Sequence, residues 1–439
     1  MGMFNPIFIQ SIDFKSHPIL LCKSKLKVHY YTVLEYTVQL FANNDEYTNA
    51  RLNQYQTNIV GNTKIPTLNS KKIKRLTKSL VNNRIKPWRK AYRYWLVCDI
   101  ATILFNESRV IQATTYLKDY LSKRQSLVVD ILLKILFNDP PPPYTETFNL
   151  QLAKQFRSNR IFSSKPEIRY IVTANVSAGK STLINALVGK PVTRTSQEIC
   201  TGNLCYIYNK PFEDDRIHLS GSPPNLNANP EHLTNLDQSK VNSIALHFKI
   251  SQANTENRIC IIDTPGVNSA IHKNHREITR QRIKQNDYNK LIYVLNANRL
   301  GTDEEKDHLL WVSKNVEKTK VLFVLNKLDD FKKIDDSVIE SITKVKNDLL
   351  ALGYKNPEIF PISSYFAYLI KRNESDIPMP EDELDSFNLY VKKFSKDGYD
   401  LSIYSTDKHP KENESENFRM KIRSGLYSLE KALFKGARL

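Results

Sequence analysis

Long apolar runs are missing from this chain. No stretch approaches the roughly 18 consecutive apolar residues of a membrane-spanning helix, which excludes an ordinary spanning helix and leaves surface attachment open. The start, Met1 to Pro6, has no basic segment leading into an apolar one, so no signal peptide is expected. The five cysteines, at 22, 98, 200, 205 and 260, include no C-x-x-C pair, and three sit in or beside apolar runs. They read as buried free thiols of a reducing, cytoplasmic compartment. Acidic residues are scarce in the front part. Residues 1–100 hold 16 Lys/Arg against 5 Asp/Glu, and residues 101–160 hold 8 against 5.

About +14 of the net charge of +18 therefore precedes residue 161. Such a bias suits an anionic partner, whether a phospholipid surface, RNA or DNA, or an acidic protein. It also suits a helical domain coated with basic residues. At 439 residues, with 41% hydrophobic and 25% charged residues, the chain is large enough for two or three domains with real cores.

Residues 1–60 are ambiguous. Tyr30 to Val33 lean toward strand, whereas Glu35 to Phe41 could continue as a helix. Basic residues concentrate from Lys71 to Arg93, and Pro87 permits a helix carrying Trp88, Arg89, Lys90, Arg93 and Trp95 toward Phe105. Tryptophan among arginines marks either a membrane or nucleic-acid surface, or a core residue with wet basic neighbours. Asn106 suits a helix cap before Val110, Ala113, Leu117 and Leu121, and Leu127 to Phe137 is a second apolar helical pattern. Pro140 to Pro143 cannot lie inside a helix, so they read as a stiff spacer. The expected organisation is a basic, mostly helical region over 1–139, a proline-rich linker over 140–147, and a nucleotide domain with a C-terminal helix over 148–439.

Behind the linker, a helix near Phe148 to Arg157 precedes alternating strands and helices. Strands are expected at Ile168–Ala174, Asn203–Tyr208, Ile244–Ile250, Ile259–Ile262, Leu291–Leu295, Val321–Leu325 and near Ile359–Ile362. Helices are expected at Ile278–Asn286, Asp303–Val316 and Asp336–Leu352, and the terminal pattern runs from Phe418 to Phe434. Residues 209–240 read as an irregular excursion with a short helix near Pro230 to Leu236. The fold class is α/β, with a mainly parallel sheet covered on both faces.

The chemistry centres on Asn175-Val176-Ser177-Ala178-Gly179-Lys180-Ser181-Thr182, which joins an apolar strand to a helix. Strand, tight loop, Gly-Lys-Ser and helix together define a phosphate loop, although Ala174 stands where its first glycine usually falls. Consecutive amides and a helix N-terminus cradle phosphate oxygens; Lys180 neutralises the β- and γ-phosphates, and the Ser181 hydroxyl suits Mg²⁺. Cys260 to Gly266 ends an apolar strand in Asp-x-x-Gly. Asp263 there suits Mg²⁺ through water, and the Gly266 amide suits a γ-phosphate. Another strand ends in Asn326-Lys327-Leu328-Asp329. The Asp329 carboxylate matches the two donors of guanine, which adenine lacks, while Lys327 can cover the base and Asn326 can brace the phosphate loop.

With these motifs in order, Ile168 to Phe366 resembles the dynamin-like large GTPases, particularly their bacterial members. Ser177–Leu187, Thr264–Asn268 and Asn296–Thr302 carry the resemblance. It implies that Thr201, 21 residues after Lys180, contacts Mg²⁺ and places the attacking water, with Thr195 as the alternative. It also implies that Ser177 contacts phosphate and water, and that Ser363 and Ser364 lie in the last base-contacting loop. Val176 replaces a water-positioning glutamine of eukaryotic dynamins, and only about 70 residues follow Ile370, so a complete fission machine is not expected. The resulting expectation is a slow GTPase that binds GTP and GDP with Mg²⁺. It would pair with itself or a second dynamin-like protein, peripherally at the inner membrane face. The alternative is a nucleotide-gated binding protein with little hydrolysis that recognises protein or nucleic acid.

Overall fold

The computed structural model describes residues 5–82, 91–141, 151–193, 203–229, 232–233, 240–250, 257–267, 274–331, 337–375, 378–405, 411 and 414–434. Pro142 and Pro143 of the proline run, the Pro87–Trp88 helix start, the switch threonines Thr195 and Thr201, Asn268, Cys200 and most of Pro230–Leu236 lie outside these residues. The chain divides into two compact units. One comprises residues 1–165 with 210–228 and 245–247; the other comprises 166–209, 229–244 and 248–439.

The first unit is mostly helical: α1 (Ser24–Gln39), α2 (Glu46–Ile59), α3 (Ser70–Val81), α4 (Ala91–Leu104), α5 (Glu107–Lys118), α6 (Lys123–Phe137) and α7 (Gln151–Ser164). Local caps start several of them. Asn106 accepts from the Arg109 N–H ahead of α5, and Ser122 with Gln125 forms a reciprocal capping box ahead of α6. Eleven of the fourteen residues of α4 are buried, which makes it the central helix; it packs against each of the other six. Among its neighbours is α7, which places Leu152, Ala153 and Phe156 in this core.

Tyr30 to Val33 lie in α1, not in a strand. Their β-propensity is overridden because Tyr30, Tyr31, Val33 and Leu34 form one helical face and are wholly buried. Arg93 and Trp95 are also not part of an exposed basic surface. Arg93 is buried, and Trp95 packs against the core with its ring 5.2 Å from that of Tyr92. The excursion contributes β3 (Ile217–Leu219) and β4 (Asn225–Ala228), an antiparallel pair within this same unit. Polar staples hold it to the N-terminal segment. The Ile12 N–H donates to Asp214 at 2.9 Å, the His218 ring bonds the Phe8 carbonyl at 2.7 Å, and Arg216 donates to Asn58 at 2.6 Å.

At the centre of the unit Asp99 is fully buried. It accepts from the Tyr30 hydroxyl at 2.5 Å and the Tyr55 hydroxyl at 3.2 Å, and lies 3.1 Å from His17 Nε2. Burial, with the Asp99 charge, pushes the Tyr30 phenol well above its ordinary pKa.

The second unit is built on parallel strands. β1 (Glu167–Ala174) lies between β6 (Arg258–Asp263) and β7 (Lys290–Asn296); β8 (Val321–Asn326) and β9 (Ile359–Pro361) continue beyond β7 in parallel. β2 (Cys205–Asn209) runs antiparallel to β6, and β5 (Asn242–Leu246) falls at the division between the units. Helices α8 (Lys180–Val188), α9 (His275–Lys284), α10 (Asp303–Asn315) and α11 (Val338–Ala351) alternate with the strands, followed by α12 (Ser364–Asn373) and α13 (Glu381–Phe394). The acidic run Glu381-Asp382-Glu383 is the first turn of α13, where carboxylates favour the helix dipole.

The terminal pattern is two helices rather than one, α14 (Glu416–Arg423) and α15 (Leu426–Phe434). Gly425 between them has φ +84°, and a Cβ there would lie 2.1 Å from the Pro361 carbonyl oxygen. The Tyr170 hydroxyl donates to the Leu433 carbonyl, docking α15 beside β1. Buried Lys371 donates to the Leu187 carbonyl at 2.9 Å and pairs with Glu430 at 2.5 Å, tying α12, α8 and α15 together.

Removing the Asp99 carboxylate strands three polar groups in a dry core. Asp99→Ala is expected to destabilise the helical unit by about 3 kcal/mol in urea unfolding; a loss under about 1 kcal/mol would show that the network contributes little.

Candidate functional site

The site lies at the carboxyl ends of β1, β6, β7 and β8, around the point where the chain leaves β1 for neighbours on either side. Ala174 is the last residue of β1 and fully buried in extended backbone. No positive φ is required there, so alanine replaces the usual glycine without backbone strain. The loop then turns sharply. Ser177 adopts φ +65°, a conformation few side chains tolerate, and Gly179 adopts φ +84° as the N-cap of α8. A Cβ on Gly179 would sit 2.3 Å from Asn326 Nδ2, so steric space and dihedral both require glycine.

Two asparagines at neighbouring strand ends brace this loop. Asn326 Nδ2 donates to the Ala178 carbonyl at 2.9 Å, and Asn296 Nδ2 donates to the Ser177 carbonyl at 3.2 Å. The Ala178 N–H closes the turn on the Asn175 carbonyl at 3.3 Å, and the amino end of α8 is a group that can meet an anion. Lys180 and Asp263 are buried and paired across the site. Ser181 follows Lys180 in the first turn of α8. Its hydroxyl and the Asp263 carboxylate are hard oxygen donors of the kind Mg²⁺ takes with water. Among the described residues no cluster of three or more His, Cys, Asp or Glu side chains offers a different metal site.

Thr264 donates its hydroxyl to the Val172 carbonyl at 2.8 Å, and the Val267 N–H donates to the Ala174 carbonyl at 3.2 Å. Gly266 is thus held against the loop, where a Cβ would stand 3.2 Å from a Val176 methyl. Cys205, opposite Asp263 on β2, is buried. Burial first, then the Asp263 charge, pushes its thiol far up and leaves it unreactive.

At the other end of the site, Asp329 Oδ1 accepts from the Ser363 hydroxyl at 2.9 Å, and that hydroxyl also caps α12. Lys393 donates to the Asp329 and Phe331 main-chain carbonyls, at 2.5 Å and 2.8 Å. Burial raises the Asp329 carboxyl above the ordinary range; the Ser363 hydrogen bond opposes this, Asp330 adds to it and Lys393 opposes it. Lys327 stands at φ +69°, beside Gly179.

Asn185 was not anticipated from the sequence. Buried in α8, its Oδ1 accepts from the Val192 and Thr193 N–H groups at 3.0 Å and 2.9 Å, and its Nδ2 donates to the Thr193 carbonyl at 2.8 Å. It anchors the start of the segment that leads toward Thr201. The signal was available: an asparagine inside the apolar run Leu183-Ile184-Asn185-Ala186-Leu187 is costly unless satisfied. The structure places Ser177, Gly179, Lys180, Asp263, Gly266, Asn326, Asp329 and Ser363 at the carboxyl ends of these strands and in the loops that follow them.

Residues 171–328 match the model of the dynamin family. The probable transmembrane GTPase FZO-like, chloroplastic, of Arabidopsis thaliana is 23% identical over 60% of this chain. The chain spans about a quarter (26%) of that relative's length. Among solved structures, an oligomerised bacterial dynamin pair is similar over 92% of this chain and 72% of that one, at 17% identity and a TM-score of 0.38. Era from Aquifex aeolicus, bound to GDP and AlF4⁻, covers 49% of this chain and 58% of its own, at 17% identity and a TM-score of 0.29. With the phosphate loop and Asp263 at the ends of adjacent strands inside the matched stretch, residues 171–328 carry a P-loop GTPase domain like that of the dynamin family.

Proposed function

We propose that this chain is a slow dynamin-like GTPase whose nucleotide state controls association with a second copy or another dynamin-like protein at an anionic membrane surface. The observation carrying this reading is the row of phosphate loop, Lys180–Asp263 pair and Asp329–Ser363 pair at the ends of parallel strands. Water would attack the γ-phosphorus in line. Loop amides and Lys180 would offset the charge developing on the phosphate oxygens. Ser181, Thr201 and, through water, Asp263 would hold Mg²⁺, which when bound neutralises charge on the β- and γ-phosphates. Ser177 and the Thr201 carbonyl would place the water. Val176 has no hydrogen-bonding group to add, which supports slow turnover until a partner orders the site.

The basic face of α3 supports the membrane part. Lys71, Lys72, Lys74, Arg75 and Lys78 are exposed, while Ile73, Thr77, Leu80 and Val81 are buried. Each such cation contributes about 1 kcal/mol near an anionic bilayer.

Asp329→Asn should weaken GTP binding by about a hundredfold or more and favour xanthosine nucleotides, read by calorimetric titration with GTP, ATP and XTP. Equal affinity of the native protein for ATP and GTP would refute the base assignment. Guanine needs the ionised carboxylate, so protonation competes with it. Because burial raises the Asp329 carboxyl, GDP affinity should begin to fall on acidification above the ordinary value of about pH 4. An affinity that begins to fall only below about pH 4 counts against it.

Lys180→Ala should abolish most nucleotide binding, whereas Thr201→Ala should preserve GDP affinity and stop turnover. Single-turnover hydrolysis by the native protein should also accelerate as protein concentration rises. Native turnover in Thr201→Ala would move the water-placing role to Thr195 or elsewhere. Turnover that stays negligible at every concentration favours the nucleotide-gated binding protein.

Changing Lys71, Lys72, Lys74 and Arg75 together to glutamine should reduce co-sedimentation with phosphatidylserine vesicles at low salt at least tenfold. Undiminished sedimentation would leave that face as ordinary solvated charge.

A further inference from the structure

The helical unit contains a cleft of about 580 Å³ between its N-terminal turn and the α3–α4 pair. Leu21, Lys23, Lys25, Leu26, Leu76 and Leu80 are among the residues lining it, and among the described residues no carboxylate lines it. Its two walls come from stretches without any acidic residue: none occurs between positions 14 and 34 or between positions 47 and 98. A solvated face of mixed charge does not have this character.

Leu21 stands at the mouth of the cleft and is 93% exposed. A single exposed leucine means little by itself. This one ends a short 3₁₀ turn, Pro18–Leu21, whose base is fixed in the core. Ile19 is fully buried, His17 Nδ1 accepts from the Ile19 N–H at 3.2 Å, and His17 Nε2 lies 3.1 Å from buried Asp99. The Cys22 N–H closes the turn on the Ile19 carbonyl at 3.0 Å. The same Asp99 network that organises the unit therefore presents Leu21 outward on a fixed support. Lys23 and Lys25 follow at once, both exposed, and α3 lines the cleft through Leu76, Ser79 and Leu80.

We infer that the Pro18–Leu21 turn is a membrane-insertion point: Leu21 enters the acyl boundary of an anionic bilayer while Lys23, Lys25 and the α3 cations engage lipid phosphates. An anionic bilayer has a negative layer above an apolar one, and this surface offers a group for each, an exposed apolar tip at Leu21 and the exposed ammonium groups of Lys23 and Lys25 beside it in sequence. Lysine stems can lie along the cleft's leucines with their heads at headgroup level. Nucleic acid would use the cations but offers no apolar layer for Leu21. The inference rests on the membrane reading proposed above and names the surface responsible.

The test uses the full chain with phosphatidylcholine vesicles, with and without phosphatidylserine, beside single- and double-stranded DNA and RNA. Leu21→Ser alters an exposed side chain, so the fold and GTP affinity should be unchanged while binding to phosphatidylserine vesicles falls about tenfold. Leu21→Trp should show, over the native tryptophan signal, a blue shift and quenching by brominated acyl chains on phosphatidylserine vesicles alone. If the native protein binds vesicles but Leu21→Ser binds equally well and Leu21→Trp is not quenched, insertion is overturned while the membrane reading stands. Failure of the native protein to bind vesicles overturns both. Tighter binding to DNA or RNA, insensitive to Leu21→Ser, overturns the insertion and reassigns the cations to nucleic acid.

Discussion

Asn326 makes two hydrogen bonds on which the nucleotide site depends. Its Nδ2 donates to the Ala178 carbonyl in the phosphate loop, and its Oδ1 accepts from the Ser364 N–H at 3.1 Å, at the start of α12. One side chain therefore spans from the phosphate end of the site to the base end. The contact needs close approach, and the absence of a side chain on Gly179 permits it. Three strand ends are locked to one loop as a result: β1 by continuity, β7 through Asn296 and β8 through Asn326. A phosphate cradle works only if its amides are already oriented, since any reorganisation on binding is subtracted from affinity. The asparagines supply that orientation by occupying the loop carbonyls, and the left-handed conformation at Ser177 is the strain that this bracing sustains.

The helical unit solves a different problem by similar means. Its core is apolar and large, but a polar cluster of His17, Tyr30, Tyr55 and Asp99 sits within it. Each member comes from a different segment: the N-terminal turn, α1, α2 and α4. Apolar packing is tolerant of sliding, whereas a buried carboxylate with three fixed partners permits one arrangement. The β3–β4 pair is held in the same way, by buried Asp214 and His218 bonded to the backbone of residues 8 and 12. Sequence far downstream thus completes the core of the N-terminal unit.

That pattern explains what could be read in the chain before its structure. Elements whose signals are local were legible: the phosphate loop, the strands ending at Asp263 and Asn326, the Asn106 cap, and the alternation that implies a parallel sheet. So was the helical character of Phe418 to Phe434, although the positive φ of Gly425 breaks that pattern into two helices. Features that depend on partners distant in sequence were not legible. Tyr30 to Val33 have strand-like composition, and only the buried partners of α1 make them helical. Arg93 reads as surface charge beside Lys90 but is buried. Residues 210–228 look like a loop because their order comes from staples to positions 8 and 12. Asn185 sits in plain view within an apolar helix, yet its role is visible only once Val192 and Thr193 fold back over it.

Asn185 and Val176 together bear on the pace of the proposed reaction. Hydrolysis needs a water held in line with the γ-phosphorus, and a protein can hold it from the loop, from the switch segment, or from a partner. On the loop, the Val176 side chain is 37% exposed and apolar, packed toward Gly266. On the switch side, Asn185 fixes the chain as far as Thr193, eight residues before Thr201. In the proposed reading the binding groups are pre-organised by Asn326, Asn296 and Ser363, while water placement depends on how residues beyond Thr193 are ordered. An enzyme arranged in this way holds nucleotide well and turns it over slowly alone. Its rate then becomes a report of association, which is the property a nucleotide-controlled assembly requires.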